Sequence, residues 1–257
     1  MCLLIMLVRT HPDFPLVVAA NRDELLERPA VAMAVLREAS PRVLGGRDEL
    51  AGGTWLAVNK AGVVAGLTNR PATKDPSKRS RGELPIALAS HTSAAAAVEA
   101  FRSELRPSDY NPAWVLVGDR EAAFAIDMTG DDAPVIQPLA PGTHILENRP
   151  PGAPSPKVDH VRHLLDGAER LAEQELVRRL QAVLGDHHVP EGPVAVPEGS
   201  TIEVPPEVKA ACVHTERYGT RWSGVVTVPV SHDDVPAFRY ADGSACRASW
   251  RSASARL

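Results

Sequence analysis

The sequence opens Met1-Cys2-Leu3-Leu4-Ile5-Met6-Leu7-Val8. After a short break it continues Leu16-Val17-Val18-Ala19-Ala20-Asn21-Arg22-Asp23-Glu24. Both runs are short, apolar and rich in branched residues, which predicts two strands, 2–8 and 16–21. His11-Pro12-Asp13-Phe14-Pro15 between them reads as a hairpin loop. Paired as a hairpin, they return the end of the second strand to Cys2. That would put an amide, a guanidinium and two carboxylates next to a thiol. A small residue at position 2 normally permits removal of Met1, which leaves an N-terminal cysteine. Such a residue carries a thiol and a free α-amine on one Cα. The amine has a reference pKa of roughly 7.7–8.0 and can act as general base for its own thiol. Against this stands the ordinary reading. Free cysteines are usually small buried hydrophobes, and a polar run such as Asn21 to Glu24 serves as a loop or helix cap.

Working outward, residues 22–53 read as irregular, with turns at Gly45-Gly46 and Gly52-Gly53. Thr54 to Val58 and Val63 to Thr68 form a hairpin around Asn59-Lys60-Ala61-Gly62. Ala72 to Arg79 is a long polar loop. Glu83 to Ser90 and Ser93 to Leu105 are predicted helices, the second with a Ser/Thr cap. Trp114 to Val117 and Ala122 to Asp127 form another hairpin. Val135-Ile136 and Thr143 to Leu146 are short strands, and Pro150 to Pro156 is a rigid connector. Val158 to Leu165 and Ala168 to Leu184 are amphipathic helices. His187 to Pro206 gives the weakest pattern. Ala211 to Thr215 and Gly224 to Val230 are expected to close the sheets, and the polar tail from about residue 233 is expected to fray in part. Strand pairs, helices and strand pairs again suit two antiparallel sheets with helices outside, an α+β chain rather than βαβ units.

The chain has 257 residues, with 44% hydrophobic and a net charge of −4. This length suits a single domain over 1–257. The acidic balance argues against nucleic acid or an anionic membrane surface as main partner. No stretch approaches the ~20 apolar residues of a membrane span. The three cysteines, Cys2, Cys212 and Cys246, form no disulfide framework. These features predict a reduced, cytoplasmic protein. The alanine, arginine and proline bias fits a GC-rich bacterial source. Cys212-x-His214 and His187-His188 lack a compact four-ligand spacing, so no metal is expected. There is no Cys-x-x-Cys-His haem attachment site, and no cofactor is expected, although noncovalent haem is left open.

An ordered set of short motifs runs through residues 1–230. It comprises Met1-Cys2, Asn21-Arg22-Asp23-Glu24, Arg28-Pro29, Gly45-Gly46-Arg47-Asp48, and Gly52-Gly53-Thr54-Trp55-Leu56-Ala57-Val58-Asn59. It continues with Leu67-Thr68-Asn69, Ser80-Arg81-Gly82, Pro156-Lys157-Val158 and Tyr218-Gly219-Thr220-Arg221. In this the chain resembles the NRDE family, also called the transport and Golgi organisation protein 2 family. That family resembles N-terminal-nucleophile hydrolases of the choloylglycine hydrolase and penicillin V acylase type. The resemblance implies an αββα four-layer sandwich of two antiparallel sheets and cleavage of a non-peptide C–N bond. Eukaryotic members are linked to lipid and haem handling.

Thiolate attack on an amide needs a nucleophile, a base, oxyanion donors and tuning charges. Cys2 supplies the first two. Asp23 is suited to hold the α-ammonium, and Arg22 to favour the thiolate. Related hydrolases use an arginine and an aspartate at this place, but in a different order around the asparagine, so the assignment within Asn21 to Glu24 stays open by a residue. Resemblance also points to Asn69, to Asn148 as oxyanion donor, and to Arg221 near the nucleophile. Glu147 stands before Asn148 where the family usually has a serine. Asn21, Arg47, Trp55 and Arg70 are expected to bind substrate. The expected activity is amidohydrolysis or acyl transfer on a small-molecule amide through acyl-Cys2, with homo-oligomerisation left open. The alternative is a non-catalytic carrier or chaperone for a hydrophobic ligand such as haem or acyl-CoA.

Overall fold

The computed structural model describes residues 2–72, 74–130, 132–192, 194 and 204–257. Its strands are β1 (Leu3–Val8), β2 (Leu16–Leu25), β3 (Ala30–Arg37), β4 (Val43–Asp48), β5 (Leu56–Asn59), β6 (Val64–Asn69), β7 (Ala113–Gly118), β8 (Ala123–Asp127), β9 (Val135–Pro138), β10 (Gly142–Leu146), β11 (Tyr218–Val228), β12 (Ala237–Ala241) and β13 (Trp250–Ser252). Its helices are α1 (Glu83–Ala89), α2 (Ala94–Glu104), α3 (Pro156–Leu164) and α4 (Glu173–Leu184).

The opening hairpin forms as expected. Leu3 stands opposite Asn21 and Val8 opposite Leu16. Every residue of β1 is buried. Strand alternation sends Leu3, Ile5 and Leu7 to one apolar cluster and Leu4, Met6 and Val8 to another. A strand covered on both faces needs no polar alternation, which explains its unbroken apolar run. Removing a fully buried side chain such as Ile5 by substitution to alanine costs about 2–5 kcal/mol.

β1 and β2 lie within a six-stranded sheet of order β10-β1-β2-β11-β12-β13. The other sheet has seven strands, β3 to β9 in chain order. The inner faces of the two sheets share one core, containing Leu4, Met6, Trp55, Leu56, Trp114, Trp222 and Phe238. α3 and α4 cover the outer face of the first sheet through Val161, Leu176, Leu180 and Leu184. α1 and α2 cover the second through Leu84, Leu88, Val98 and Phe101. The layers are thus helix, sheet, sheet, helix. Ser93 caps α2 by accepting from Ala96 N–H, and Ser155 caps α3 by accepting from Val158 N–H.

Four expectations need correction. Residues 22–53 are not irregular: β2 runs on to Leu25, and β3 and β4 follow. β3 is an edge strand of mixed burial with two register shifts against β4, so it lacks a clean period. Gly45 and Gly46 are strand residues because their neighbours press close. A Cβ on Gly45 would lie 2.2 Å from Leu56 O, and one on Gly46 would lie 2.0 Å from the Trp55 ring. The helix expected over Ala168 to Leu184 is broken into a 3-10 turn, Ala168–Arg170, and α4. Ala211 to Thr215 makes only an isolated bridge, His214 to Gly219. The tail, finally, contributes β12 and β13 and buries Phe238 and Ala253. Half of the segment from His187 to Pro206 lies outside the described residues.

Candidate active site

Because Leu3 pairs with Asn21, Cys2 sits beside Arg22 and Asp23. It lies half-buried in the wall of a cavity of about 810 Å³. Alternation along β2 splits the polar run between the faces of the sheet. Arg22 points inward and stacks on Trp55, 4.6 Å from the ring centroid. Its Nη2 donates to Asp48 Oδ2 at 2.9 Å. Arg28 holds the same carboxylate with two hydrogen bonds, Nε to Oδ2 at 2.7 Å and Nη2 to Oδ1 at 3.2 Å. Burial acts to raise the Asp48 carboxyl, but the Arg28 hydrogen bonds and the Arg28 and Arg22 charges outweigh it and hold it below its ordinary value.

Asn21 points the other way. Its Nδ2 donates to Leu184 O and Ala211 O, both at 2.8 Å, and its Oδ1 accepts from Ser223. It therefore ties β2 to the end of α4 and does not line the cavity, contrary to a substrate-binding role.

Asp23 does line the cavity and is 4% exposed. Oδ1 accepts a 2.6 Å hydrogen bond from Thr220 Oγ1, its partner across β2 and β11. Oδ2 is buried with no hydrogen-bond partner among the described residues. Burial pushes the Asp23 carboxyl above its ordinary value, against the opposing pull of Lys157, the positive chain terminus and the Thr220 hydroxyl. Lys157, from the first turn of α3, is 3% exposed, and its Nζ also lacks a partner among the described residues.

Burial likewise pushes the Cys2 thiol up. The charge at the chain terminus, a hydrogen bond from the Asp23 main-chain N–H and the Arg22 charge pull it down, while the Asp23 charge adds to the rise. Removal of Met1, expected from the sequence, lies outside the described residues.

Asn148 follows β10 and meets Cys2 directly. Cys2 N donates to Asn148 Oδ1 at 2.8 Å, and Asn148 Nδ2 donates to Asn69 O. These partners fix which end of the amide is which. One Nδ2 hydrogen is thus in use, which leaves a second for any oxyanion. Thr68 Oγ1 donates to Glu147 O at 2.7 Å and holds this segment against β6. The Glu147 side chain turns to Ser155 and Arg149 and stays out of the cavity lining.

Of the remaining candidates, Asn69, Trp55 and Arg70 line the cavity. Arg47 does not: it is exposed and donates to Val35 O at 2.6 Å on the sheet edge. Arg221 does not either. The register shift between Thr220 and Trp222 makes it the extra residue of a β-bulge. Its guanidinium donates to Leu26 O and lines a separate cavity with His214 and Asp242. Arg81 does line the cavity: burial lowers its guanidinium, the Cys2 charge opposes that, and its Nη1 donates to Pro112 O at 3.1 Å. Arg81 and Lys157 stand in sequence motifs, yet nothing in their spacing marks Arg81 as a residue of this cavity or Lys157 as a charge acting on Asp23. No helix among the described residues is long and apolar enough to cross a membrane.

The whole fold is similar to solved N-terminal-nucleophile hydrolases. A mutant of the conjugated bile acid hydrolase from Clostridium perfringens matches with a TM-score of 0.55 at 11% identity, covering 98% of this chain and 96% of that one. The Caenorhabditis elegans N-acylethanolamine-hydrolyzing acid amidase ortholog matches with a TM-score of 0.53 at 12% identity, covering 88% and 92%. At such identities the likeness speaks for the fold alone. Among curated proteins, the Transport and Golgi organization protein 2 homolog of Bos taurus is 32% identical over 232 residues, 84% of this chain and 82% of the relative. The Homo sapiens homolog is 28% identical over 231 residues, with the same coverage. The family model described as Transport and Golgi organisation 2 matches residues 1–235. The chain therefore belongs to the Transport and Golgi organisation 2 family.

Proposed function

We propose that this protein is an N-terminal cysteine hydrolase or acyltransferase that acts on a small-molecule amide. One observation carries the reading: the Cys2 nitrogen is held by Asn148 Oδ1 at 2.8 Å beside a buried Asp23 oxygen that has no partner among the described residues. An orphaned buried acceptor is costly. The α-ammonium made by removing Met1 is a donor of the right charge to satisfy it.

In the processed chain the α-amine takes the thiol proton, and the sulfur attacks the substrate carbonyl carbon. The carbonyl oxygen becomes an oxyanion, stabilised by the free Nδ2 hydrogen of Asn148 and the side-chain amide of Asn69. The α-ammonium returns its proton to the leaving nitrogen as the C–N bond breaks, giving acyl-Cys2 and a free amine. Water, or a second amine in the acyltransferase version, then attacks the thioester and restores the thiol. Arg22 and Arg81 oppose the upward push of burial on the thiol.

The cavity lining carries more cations than carboxylates. Arg70, Lys74, Lys78, Arg79 and Arg81 line it; Arg79 is paired with Glu83, and the acidic lining residues Asp48 and Glu24 are engaged by Arg22 and Arg28. This favours a substrate with a negatively charged group. Trp55, Leu67, Pro71 and Val208 line the apolar part. The same apolar wall supports the second reading, a carrier of a hydrophobic ligand without turnover.

Intact mass and peptide mapping after reaction with a cysteine-directed electrophile come first, followed by a screen of N-acyl amides with and without charge. Loss of Met1, selective labelling of Cys2 and turnover abolished in Cys2→Ala are the expected results. Retained Met1 with an unreactive Cys2 would move the assignment to the carrier.

A further inference from the structure

Away from the Cys2 cavity, the fold gathers four residues that are scattered along the chain. His187 follows α4, Cys212 and His214 precede β11, and Cys246 lies in the turn between β12 and β13. One donor atom from each lies within 4.8 Å of all the others. Cys212 Sγ is 3.7 Å from Cys246 Sγ and 3.7 Å from His214 Nε2, and His214 Nε2 is 3.2 Å from Cys246 Sγ.

From these distances we propose that His187, Cys212, His214 and Cys246 form a Cys2His2 site for a tetrahedral zinc ion. With Zn–S bonds of about 2.3 Å and Zn–N bonds of about 2.05 Å, a tetrahedral ion spaces two sulfurs about 3.8 Å apart and a sulfur and a nitrogen about 3.6 Å apart. The three separations above lie close to those edges. A disulfide would need the sulfurs at about 2.05 Å, and both cysteines are free. Two thiolates and two imidazoles are a donor set that selects zinc among common divalent ions. His187 Nδ1 lies 3.2 Å from Cys212 O. With the proton on Nδ1, the ring donates to that carbonyl and keeps its Nε2 lone pair for a cation, the usual orientation device for ligating histidines. Cys212 is buried and its own N–H is held by Asp186 O at 2.8 Å, so the central ligand is fixed before any metal arrives. Binding would release the two thiol protons to solvent, leaving a neutral zinc bis-thiolate.

The site would staple three segments of one edge of the molecule. Two of them adjoin the catalytic side. Asn21 Nδ2 is held by Leu184 O and Ala211 O, which flank the cluster in sequence. Val213 N–H donates to Thr220 Oγ1, which in turn donates to Asp23. The zinc therefore acts as a structural clasp behind the wall that positions Asp23. It does not depend on which reaction Cys2 performs.

The test uses the untagged full chain, purified under reducing conditions, with metal content measured by mass spectrometry. One equivalent of zinc per chain is expected. It should be lost in Cys212→Ser and in Cys246→Ser, and chelator-treated protein should melt at a lower temperature until zinc is restored. Because a serine variant that misfolds would also lose its metal, Co(II) is also added to the reduced, chelator-treated wild-type chain. Intense visible bands of tetrahedral Co(II) with thiolate charge transfer are the expected result. Absence of zinc in the purified protein together with octahedral or absent Co(II) bands would overturn the proposal. So would a Cys212–Cys246 disulfide that, once reduced, binds neither metal.

Discussion

The main-chain nitrogen of Cys2 donates to Asn148 Oδ1 at 2.8 Å, and the same amide donates through Nδ2 to Asn69 O. One asparagine thus joins the start of the first sheet to the end of β6 in the second. Asn148→Ala should lower turnover of a confirmed amide substrate by about 10²–10³-fold, the usual cost of losing an oxyanion donor. Asn148→Asp keeps the acceptor for Cys2 N–H and loses the donor, so it should also be slow. Single-turnover formation of the acyl-enzyme, followed by mass, checks this. Wild-type rates in both variants would remove Asn148 from the mechanism.

Thr220→Val tests the support of Asp23. The hydroxyl donates to Asp23 Oδ1 at 2.6 Å and accepts from Val213 N–H at 2.9 Å. Among the described residues, its loss leaves a buried carboxylate with neither oxygen bonded and a buried N–H unpaired. Urea unfolding should show a loss of about 1–3 kcal/mol per orphaned group. A variant as stable as the parent would mean that water or another group takes the place of the hydroxyl.

Two carboxylates should tilt stability in opposite directions with pH. Despite burial, Arg28 and Arg22 hold Asp48 below its ordinary value. Its contribution is present above the unfolded-state pKa and is lost as pH falls through the lower folded value. Asp23 is raised, chiefly by burial. The folded chain binds that proton more tightly, so stability drawn from it is present in acid and lost as pH rises through the raised folded value. Urea midpoints over a pH series should therefore show Asp48→Asn flattening the acid limb. They should also show Asp23→Asn gaining on the parent as pH rises out of the carboxylate range, while activity is lost. Parallel profiles for all three proteins would contradict these assignments.

Arg81 and Arg221 should separate cleanly. Arg81→Gln removes a cation from the wall of the Cys2 cavity, so the pH profile of electrophile labelling should move to higher pH. Arg221→Ala removes a side chain bound to Leu26 O on the far side of a bulge, so the same profile should stay in place. A shift in Arg221→Ala and none in Arg81→Gln would reverse the assignment.

The opening hairpin was legible because both of its strands are short and apolar and end at a polar run. The cap of α2, the hairpin around Asn59 to Gly62 and the family motifs were legible for similar local reasons. What sequence could not show was direction. Asn21 and Arg22 are adjacent, yet the two-residue period of β2 sends one to α4 and the other to Trp55. Arg221 was misplaced because one bulge turns it outward. Lys157 and Arg81 reach the site from helices or loops far along the chain, and nothing local marks them. β3 and β4 were missed because bulges and two glycines hide their alternation.

The family match ends at residue 235, but the first sheet does not. β12 covers β11, and Phe238 packs edge-on to Trp222, with ring centroids 6.3 Å apart. A chain cut at the end of the family match would leave β11 with a bare row of N–H and C=O groups and an uncovered indole. Such an open edge invites pairing with other chains. The last strands are thus a guard against aggregation, and shortened versions of this protein should fail by precipitating before they fail by losing the Cys2 cavity.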